Sequence, residues 1–267
     1  MLIKGAGEMA SGVAWRLYMA NMRRICMLDL EQPMCVRRRV SFCMALVHGE
    51  VTVEGVAALR ARSRKDVAAV WERGAIAVMS TSDWARQRAD DPDVVVDAIL
   101  AKRNTGTAIA DAPLVIGLGP GFDAGVDCHL VIETDRGHDL GRIIAAGGAA
   151  PNTGRPGEIA GYSVERVLRS PASGVFVAAA DIGRRVRAGE MVGHVDATEV
   201  RATIDGVLRG LIGSGTPVRT GTKLGDVDPR ARVEHCDTVS DKARAIAGAV
   251  LEAILRRYNH PAMAATC

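Results

Sequence analysis

Short apolar runs alternate with one-sided helical patterns over the first third of the chain. An apolar pair at residues 2–3 precedes a glycine turn, and residues 11–22 then place Val13 and Leu17 on one helical face. A second apolar run follows over residues 24–29 and ends in an acid. A strand, a helix and a strand in this order predict the start of a doubly wound parallel sheet of the Rossmann type.

Further elements follow the same alternation. A helix is predicted directly after Ser63, in the stretch KDVAAVWERG, with Gly74 at its end. An amphipathic helix is predicted near the C-terminus, because an acid opens the stretch and two arginines close it. The remaining predicted strands are residues 75–79 and 94–97, a four-residue apolar strand at the start of PLVIGLGPGFDAG, and residues 129–133, and the C-terminal helix is 241–257. The predicted class is therefore α/β.

A repeat with an offset of 32 residues runs through the C-terminal third of the chain. Gly174 and Val175 fall on Gly206 and Val207, and nine positions are identical at this offset. Most of them are turn glycines and strand valines. Two similar sets of short strands and glycine turns predict a β-sandwich with internal pseudo-twofold symmetry.

The repeat resembles the biotinyl/lipoyl-like barrel-sandwich hybrid over residues 174–228. Carrier domains of that type hold a modifiable lysine in the hairpin between the two halves. The corresponding hairpin here, residues 196–199, reads DATE and has no lysine. The resemblance therefore implies a fold and argues against a swinging-arm carrier.

Four segments are predicted along the chain. The first two form the α/β part and the third is the β domain. In order they are a Rossmann-like nucleotide-binding domain at 1–110, a glycine-rich αβ segment that completes the site at 111–170, a barrel-sandwich-like β domain at 171–230, and a C-terminal helix and tail at 231–267.

Composition narrows the class of protein. A net charge of +3, with basic residues scattered along the chain, gives no support to nucleic-acid binding. No apolar run is long enough to predict a membrane span, and no signal peptide is predicted. The six cysteines form no CxxC pair, which predicts free thiols in a reducing cytoplasm and no metal site.

The opening glycines carry the first candidate site. Gly5, Gly7 and Ala10 fit the pattern G-x-G-x-x-A between a strand and a helix, which is the geometry that holds a dinucleotide diphosphate. Asp29 ends the next strand, where an acid would bind ribose hydroxyls. The alternative is a Rossmann scaffold that binds no nucleotide.

A second cluster lies in the middle of the chain. GLGPGFDAG follows a predicted strand, and its backbone N–H groups can face an anion without an intervening side chain. ETDRGHDLGR then supplies a histidine suited to general acid–base chemistry and arginines suited to clamping phosphate. An exposed turn with ion pairs is the alternative. The candidate residues are Gly117, Gly119, Gly121, Glu133, Arg136, His138 and Arg142.

Two further candidates are Asp97, at a predicted strand end, and Lys102, five residues later. Lys102 and His138 are the candidate catalytic residues, and Asp97 is a candidate cofactor-binding residue. An ion-pair or capping role for Asp97 or Lys102 is the alternative.

These stretches resemble one family, the YqeB-type accessory proteins of the selenium-dependent molybdenum hydroxylase system. The likeness runs through KGAGEMASGVAWRLY, DAILAKRN and NTGRPGEIAGYSVERVLR, and its most specific parts are ETDRGHDLGR and GDVDPR. Glu8 stands where the family more often has Asp, and Ile99-Leu100 replace Arg-Met, which removes a positive charge beside Lys102.

The resemblance implies a role in installing the selenium-containing molybdenum cofactor, with the hydroxylase apo-enzyme and other maturation factors as partners. A maturation factor that binds either NAD or the molybdopterin dinucleotide is the leading hypothesis. An NAD(H)-dependent oxidoreductase with His138 as proton donor is one alternative, and a binding module without chemistry is another.

Overall fold

The computed structural model describes residues 1–87 and 92–259. The first part of the chain forms a nine-stranded sheet with helices α1 (Glu8–Met19), α2 (Ala45–His48), α3 (Arg64–Glu72), α4 (Thr81–Ala85) and, from the C-terminus, α5 (Asp241–Tyr258). The strands are β1 (Leu2–Lys4), β2 (Cys26–Asp29), β3 (Glu50–Val53), β4 (Val56–Arg60), β5 (Ile76–Ser80), β6 (Val94–Asp97), β7 (Leu114–Leu118), β8 (Leu130–Ile132) and β9 (Ile143–Ile144).

The strand order is β3-β4-β5-β2-β1-β6-β7-β8-β9. All neighbours from β4 to β8 run parallel, and only the edge strands β3 and β9 pair antiparallel with their neighbours. The direction of winding reverses between β1 and β6, which is the point where open α/β sheets bind their ligands. The predicted α/β class and parallel sheet are confirmed.

Helix α1 begins three residues before the predicted start at residue 11. Ser11 is buried inside the helix, where its hydroxyl donates to the Ala6 carbonyl and accepts from the Phe42 N–H. Gly7 is the N-cap. A glycine in that place leaves the helix end without a side-chain cap.

Helix α5 packs on α1 and closes the hydrophobic core on that face of the large sheet. A Cβ at Gly12 of α1 would lie 2.8 Å from the Cβ of Ala243, so the glycine is what permits the close approach. The predicted C-terminal helix therefore joins the first layer of the protein. The predicted tail, residues 260–267, lies outside the described residues.

The C-terminal third forms two antiparallel sheets of four strands, in the orders β10-β17-β15-β12 and β14-β13-β11-β16. One core, which includes Phe176, Leu208 and Leu224, fills the space between them. The strands are β10 (Val167–Arg169), β11 (Gly174–Ala178), β12 (Arg185–Val186), β13 (Met191–Val195), β14 (Thr198–Arg201), β15 (Gly206–Leu211), β16 (Thr216–Val218) and β17 (Lys223–Asp228).

In the two C-terminal sheets, each copy of the sequence repeat pairs one of its strands with a strand of the other copy. Strand β11 of the first copy pairs with β16 of the second, and β15 of the second copy pairs with β12 of the first. Gly174 and Gly206 open the two copies with the same φ of +156°. A Cβ at Gly174 would collide with Asp196, and one at Gly206 with Asp228, so both positions need glycine.

The loop after β2 holds the C-terminal sheets against the large sheet. Leu211 in β15 donates its N–H to the Val36 carbonyl over 2.8 Å, and Arg38 Nε donates to the Leu211 carbonyl over 2.7 Å. A Cβ at Gly210 would lie 2.6 Å from Val36, so the contact is tight. This attachment places the C-terminal sheets beside the carboxyl edge of the large sheet.

Candidate functional site

A cavity of about 310 Å³ lies between the carboxyl edge of the large sheet and the C-terminal sheets. We call its two sides the sheet wall and the charged wall. The sheet wall is formed by Glu8, Met9, Leu100, Lys102, Leu118, Pro120 and residues 133–136. The charged wall is formed by Arg166, Arg209, Lys223, Asp226, Ser240 and Lys242. Residues 150–153 and 155–157 complete the lining. The cavity therefore lies at the switch point between β1 and β6.

The glycine turn after β1 gives the two motif glycines different roles. Gly5 has a φ of +95°, and a Cβ there would lie 2.9 Å from the Ala98 carbonyl oxygen. Gly7 has an ordinary φ of −73°, and its Cβ position has no atom within 4 Å. Ala10 lies in the first turn of α1 and is fully buried. Gly5 and Ala10 thus serve packing, whereas Gly7 faces open space.

Asp29 does not line the cavity. Its carboxylate accepts the N–H of Ala6 and the N–H of Leu30, each over 2.8 Å. Burial raises the pKa of this carboxyl, and the two backbone hydrogen bonds partly offset the rise. In the structure Asp29 fixes the glycine turn, a role that the ribose-binding prediction did not include.

The glycines of the middle cluster let loops pack closely and do not line the cavity. A Cβ at Gly117 would lie 2.5 Å from the Phe122 ring. The same substitution at Gly119 would bring the Cβ to 2.5 Å from the Thr134 hydroxyl, and at Gly121 to 2.5 Å from the backbone of Arg103. These contacts set the position of the loops whose neighbouring residues form the sheet wall.

Glu133 and Arg136 lie in the sheet wall, and the side chains of both hold neighbouring segments of the chain together. The Glu133 carboxylate accepts the backbone N–H groups of Thr134, Asp135 and Ala150, each over 2.7 Å. Arg136 makes a bidentate ion pair with Asp241 at 2.8 and 2.9 Å, which raises the pKa of the guanidinium and lowers that of the carboxyl. The pair joins the loop after β8 to the start of α5.

Lys102 lines the cavity and has a φ of +62°, while Leu100 beside it has a φ of +58°. Left-handed backbone at non-glycine residues is uncommon and concentrates at ligand sites. Asp97 lies below this loop, buried, and accepts the Thr107 hydroxyl over 2.6 Å and the Ile99 N–H over 3.1 Å. Asp97 therefore holds the loop that presents Lys102.

His138 and Arg142 lie outside the cavity lining. His138 is exposed, and Arg142 is exposed and pairs with Asp139 over 3.0 Å. Of the predicted site residues, the structure brings Lys102, Glu133 and Arg136 together in one cavity.

The charged wall contains an ion-pair network that the motif analysis missed. Asp226 lies 3.2 Å from Arg166 and 3.4 Å from Arg209, and Arg209 lies 3.5 Å from Asp228. All four side chains are buried. Arg230 also donates to Asp228, and although burial opposes ionisation, these arginines lower the pKa of Asp228. Such a network fixes the arginines in place.

Charged residues within apolar strand stretches of the sequence indicate the charged wall. Arg209 interrupts the apolar run GVLRGLI, and Asp226 and Asp228 alternate with valine in GDVDPR. Charged residues inside strands that the repeat predicts to be buried need partners. The remaining partner, Arg166, directly precedes β10 and lies 60 residues from Asp226 in sequence, so its position was not predictable from spacing.

Two lysines of the charged wall have lowered pKa values. Lys223 lines the cavity with a solvent-exposed side chain. The protein around it lowers its pKa by partial desolvation, Arg166 and Arg209 lower it further, and Asp226 and Glu8 oppose the change. Burial also lowers the pKa of Lys242, and Arg136 lowers it further, against the charges of Asp135, Glu8 and Glu133. Both ammonium groups therefore gain from a bound anion.

Other chemistry is not favoured within the part of the chain that the structure describes. No group of three or more His, Cys, Asp and Glu side chains there could hold a metal ion. Burial raises the pKa of the Cys128 thiol to about 11, and His129 accepts the Val115 N–H through Nδ1. None of the described helices is both long and apolar enough to cross a membrane.

The fold and the site define an α/β protein with a cationic ligand cleft at the switch point of its parallel sheet. The chain is similar to the uncharacterized protein YqeB of Escherichia coli (strain K12), with 46% identity over 255 residues. The match covers 96% of this chain and 47% of the relative, so the chain spans about half the length of that protein. This similarity supports a place in the YqeB-type family for the matched region. No family model matches the chain.

Solved structures give only partial similarities. The ectoine utilization protein EutE (DoeB) from Ruegeria pomeroyi is 21% identical over 24% of this chain and 21% of that chain, with a TM-score of 0.21. An aspartoacylase family protein from Mesorhizobium loti is 15% identical over 59% of this chain and 62% of that chain, with a TM-score of 0.25. Neither similarity bears on what this chain does.

Proposed function

We propose that this chain is a cytoplasmic accessory factor for a selenium-dependent molybdenum hydroxylase and that it binds a dinucleotide in the cavity. The two candidate ligands are the molybdopterin dinucleotide and NAD. The observation that carries the proposal is the open space at Gly7. It lies at the uncapped start of α1, beside a cavity at the switch point of the sheet.

The residues present fit a dinucleotide. A diphosphate can approach the backbone at Gly7 because no side chain fills that space. The N-terminus of α1 carries partial positive charge and has no side-chain cap. Glu8 would repel an anion, but Arg37 neutralises it over 3.0 Å and is itself almost fully buried. The carboxylate oxygens of Glu8 remain suited to accept hydroxyl or amino hydrogens of the ligand.

In this proposal the chain's residues bind and shield the ligand, and the molybdenum chemistry belongs to the bound cofactor and to the partner enzyme. The sheet wall holds the diphosphate, and the charged wall covers it from the other side. Transfer to the hydroxylase apo-enzyme, with other maturation factors, would follow. The family resemblance supports this role, and it concerns a protein about twice as long as this chain.

An NAD(H)-dependent oxidoreductase and a binding module without chemistry are the alternatives. The oxidoreductase hypothesis uses His138 as the proton donor, and the exposed position of His138 outside the lining gives it no support. We also propose that the C-terminal sheets belong to the biotinyl/lipoyl-like class. The hairpin between β13 and β14 has no lysine, so a carrier role is not proposed.

The test compares two substitutions at Gly7, to Asp and to Asn, whose side chains have nearly the same shape and differ in charge. Asp and Asn are both good N-cap residues, so Gly7→Asp and Gly7→Asn should leave the melting temperature of the ligand-free protein nearly unchanged. Gly7→Asp adds a negative charge beside the diphosphate and should lower dinucleotide affinity at least about tenfold more than Gly7→Asn. Gly213→Asn is the control, because a Cβ at Gly213 would make only an ordinary contact of 3.7 Å with the Thr216 hydroxyl and Gly213 lies outside the cavity lining.

The ligand itself is identified by mass spectrometry of protein purified from a host that makes the molybdenum cofactor. Thermal-shift titrations with NAD, NADH and CTP accompany this measurement. A released pterin dinucleotide supports the accessory role, whereas bound NAD favours the oxidoreductase. If no nucleotide is released and none shifts the melting temperature, the proposed function is wrong.

A further inference from the structure

The lysines of this protein are distributed unevenly. The chain has 34 basic residues, and only five of them are lysines: Lys4, Lys65, Lys102, Lys223 and Lys242. Three of the five line the cavity. Lys4 pairs with Asp111 over 2.7 Å, and Lys65 lies exposed near the start of α3. Lysine is thus rare in the chain and concentrated at one site.

The arginines and lysines of the lining are used differently. Arg136, Arg166 and Arg209 are all held in ion pairs with aspartates. In the described part of the chain, Lys102, Lys223 and Lys242 have no carboxylate within ion-pair distance, and neither has Arg155. The arginines therefore build the wall, and the lysines remain available to a ligand. A lysine ammonium is a compact charge that suits phosphate.

The acidic side chains of the lining leave this positive charge largely uncompensated. Glu8 pairs with Arg37, and Asp226 pairs with two arginines. Glu133 accepts three backbone N–H groups. Asp135 is the remaining acid, and it accepts only a backbone N–H among the described contacts. The lining thus presents more free cations than free carboxylates.

The surroundings of Lys242 also favour a bound anion. It is the second residue of α5, where the helix dipole disfavours a cation and favours an anion. Its ammonium group also lies in electrostatic range of Arg136. Lys65 has the same place in α3, so the helix position alone does not indicate a ligand. What distinguishes Lys242 is that it lines the cavity with two further lysines and has no carboxylate partner among the residues that the structure describes.

We propose that Lys223, Lys242 and Lys102, assisted by Arg155, form a phosphate subsite that binds the diphosphate of the ligand together with the backbone at Gly7. This deepens the proposed function, on which it rests for the identity of the whole ligand. A phosphoryl group fits better than a carboxylate because it carries up to two negative charges and three acceptor oxygens.

The experiment measures binding of inorganic pyrophosphate to the full chain by isothermal titration calorimetry. Pyrophosphate should bind the wild type, and the double variant Lys223→Gln/Lys242→Gln should bind it at least about tenfold more weakly. Lys223→Arg/Lys242→Arg keeps both charges and should retain most of the affinity. Citrate is the probe for a carboxylate ligand and should bind more weakly than pyrophosphate.

Lys65→Gln is the matched control for the Lys242→Gln substitution in the double variant. Lys65 is also the second residue of a helix that begins after a serine N-cap, and it lies outside the cavity lining. The control should bind pyrophosphate as the wild type does. Equal binding by the double glutamine variant, or no pyrophosphate binding by the wild type, would overturn the subsite, and so would preferential binding of citrate.

The two proposals fail in different ways. If dinucleotides do not bind but pyrophosphate binds and depends on Lys223 and Lys242, the subsite stands and the proposed function fails. If a dinucleotide binds and depends on Gly7 but is indifferent to both lysines, the proposed function stands and the subsite fails.

Discussion

The sheet wall and the charged wall face one cavity, and they are made of different parts of the polypeptide. The sheet wall depends on backbone: a glycine turn, an uncapped helix start and loops that pack closely through Gly117, Gly119 and Gly121. The charged wall depends on side chains that strands β15 and β17, the residue before β10 and the start of α5 bring together. The first kind of site leaves a local sequence pattern, whereas the second is defined by residues far apart in the chain.

The two walls also differ in how much their ion pairs contribute to the stability of the fold. The arginine–aspartate network of the charged wall is buried, so each charge needs its partner. Arg136 of the sheet wall pairs with the largely exposed Asp241, and the Arg142–Asp139 pair just outside the lining is also exposed, so water screens both pairs. We therefore expect substitutions in the charged wall to affect folding strongly, and those in the sheet wall to separate folding from binding.

The largest effect is expected for Asp226→Asn. The substitution leaves Arg166 without a carboxylate and weakens the hold on Arg209, both of them buried, which should lower the free energy of unfolding by about 3 kcal/mol. Denaturant unfolding measures it. Asp139→Asn removes one partner of an exposed pair and should cost less than about 0.5 kcal/mol. Similar losses for both variants would contradict the distinction between the walls.

A second prediction separates the two motif glycines of the turn that leads into the sheet wall. Gly5→Ala forces a left-handed φ on alanine and brings its Cβ against the Ala98 carbonyl, so it should cost about 2 kcal/mol of stability. Gly7→Asn should change stability by less than about 0.5 kcal/mol. Thermal and denaturant unfolding of both variants check this. Equal destabilisation would mean that Gly7 also serves the fold.

The sequence was informative where a local pattern has one structural solution. The G-x-G-x-x-A turn, the capping box of Ser63 with Asp66 and the glycine spacing of the repeat each restrict the backbone directly. The β3–β4 hairpin was missed although its signal is present. The two-residue turn Glu54-Gly55, with both φ values positive, joins the alternating stretches VTV and VAAL.

Other features could not be predicted because they depend on which surfaces meet. The apolar face of α5 has no preferred partner in sequence, and its contact with α1 depends on the space that Gly12 leaves for Ala243. Asp29 has the expected position at a strand end, but its carboxylate binds the Ala6 N–H within the turn. Spacing predicts where a side chain lies along the chain, and the hydrogen-bond partner decides its role.

The smallest effect is expected at the ion pair that joins the two walls, Arg136–Asp241. The pair holds the pKa of Asp241 well below its usual range, so it stabilises the folded state above the unfolded pKa of about 4 and is lost as the pH falls below that value. Because Asp241 is 68% exposed, we expect a coupling energy of only about 0.5 kcal/mol near neutral pH.

A double-mutant cycle with Arg136→Gln and Asp241→Asn, followed from about pH 7 to about pH 2, measures this coupling. The coupling should shrink with added salt and approach zero at the acid end, while the destabilisation by Asp226→Asn should depend far less on salt because its partners are buried. A coupling that is large and insensitive to salt would show that Arg136 and Asp241 belong energetically to the charged wall. The boundary between the two walls would then lie at the loop after β8, and the diphosphate position at Gly7 would be the part of the site that rests on backbone alone.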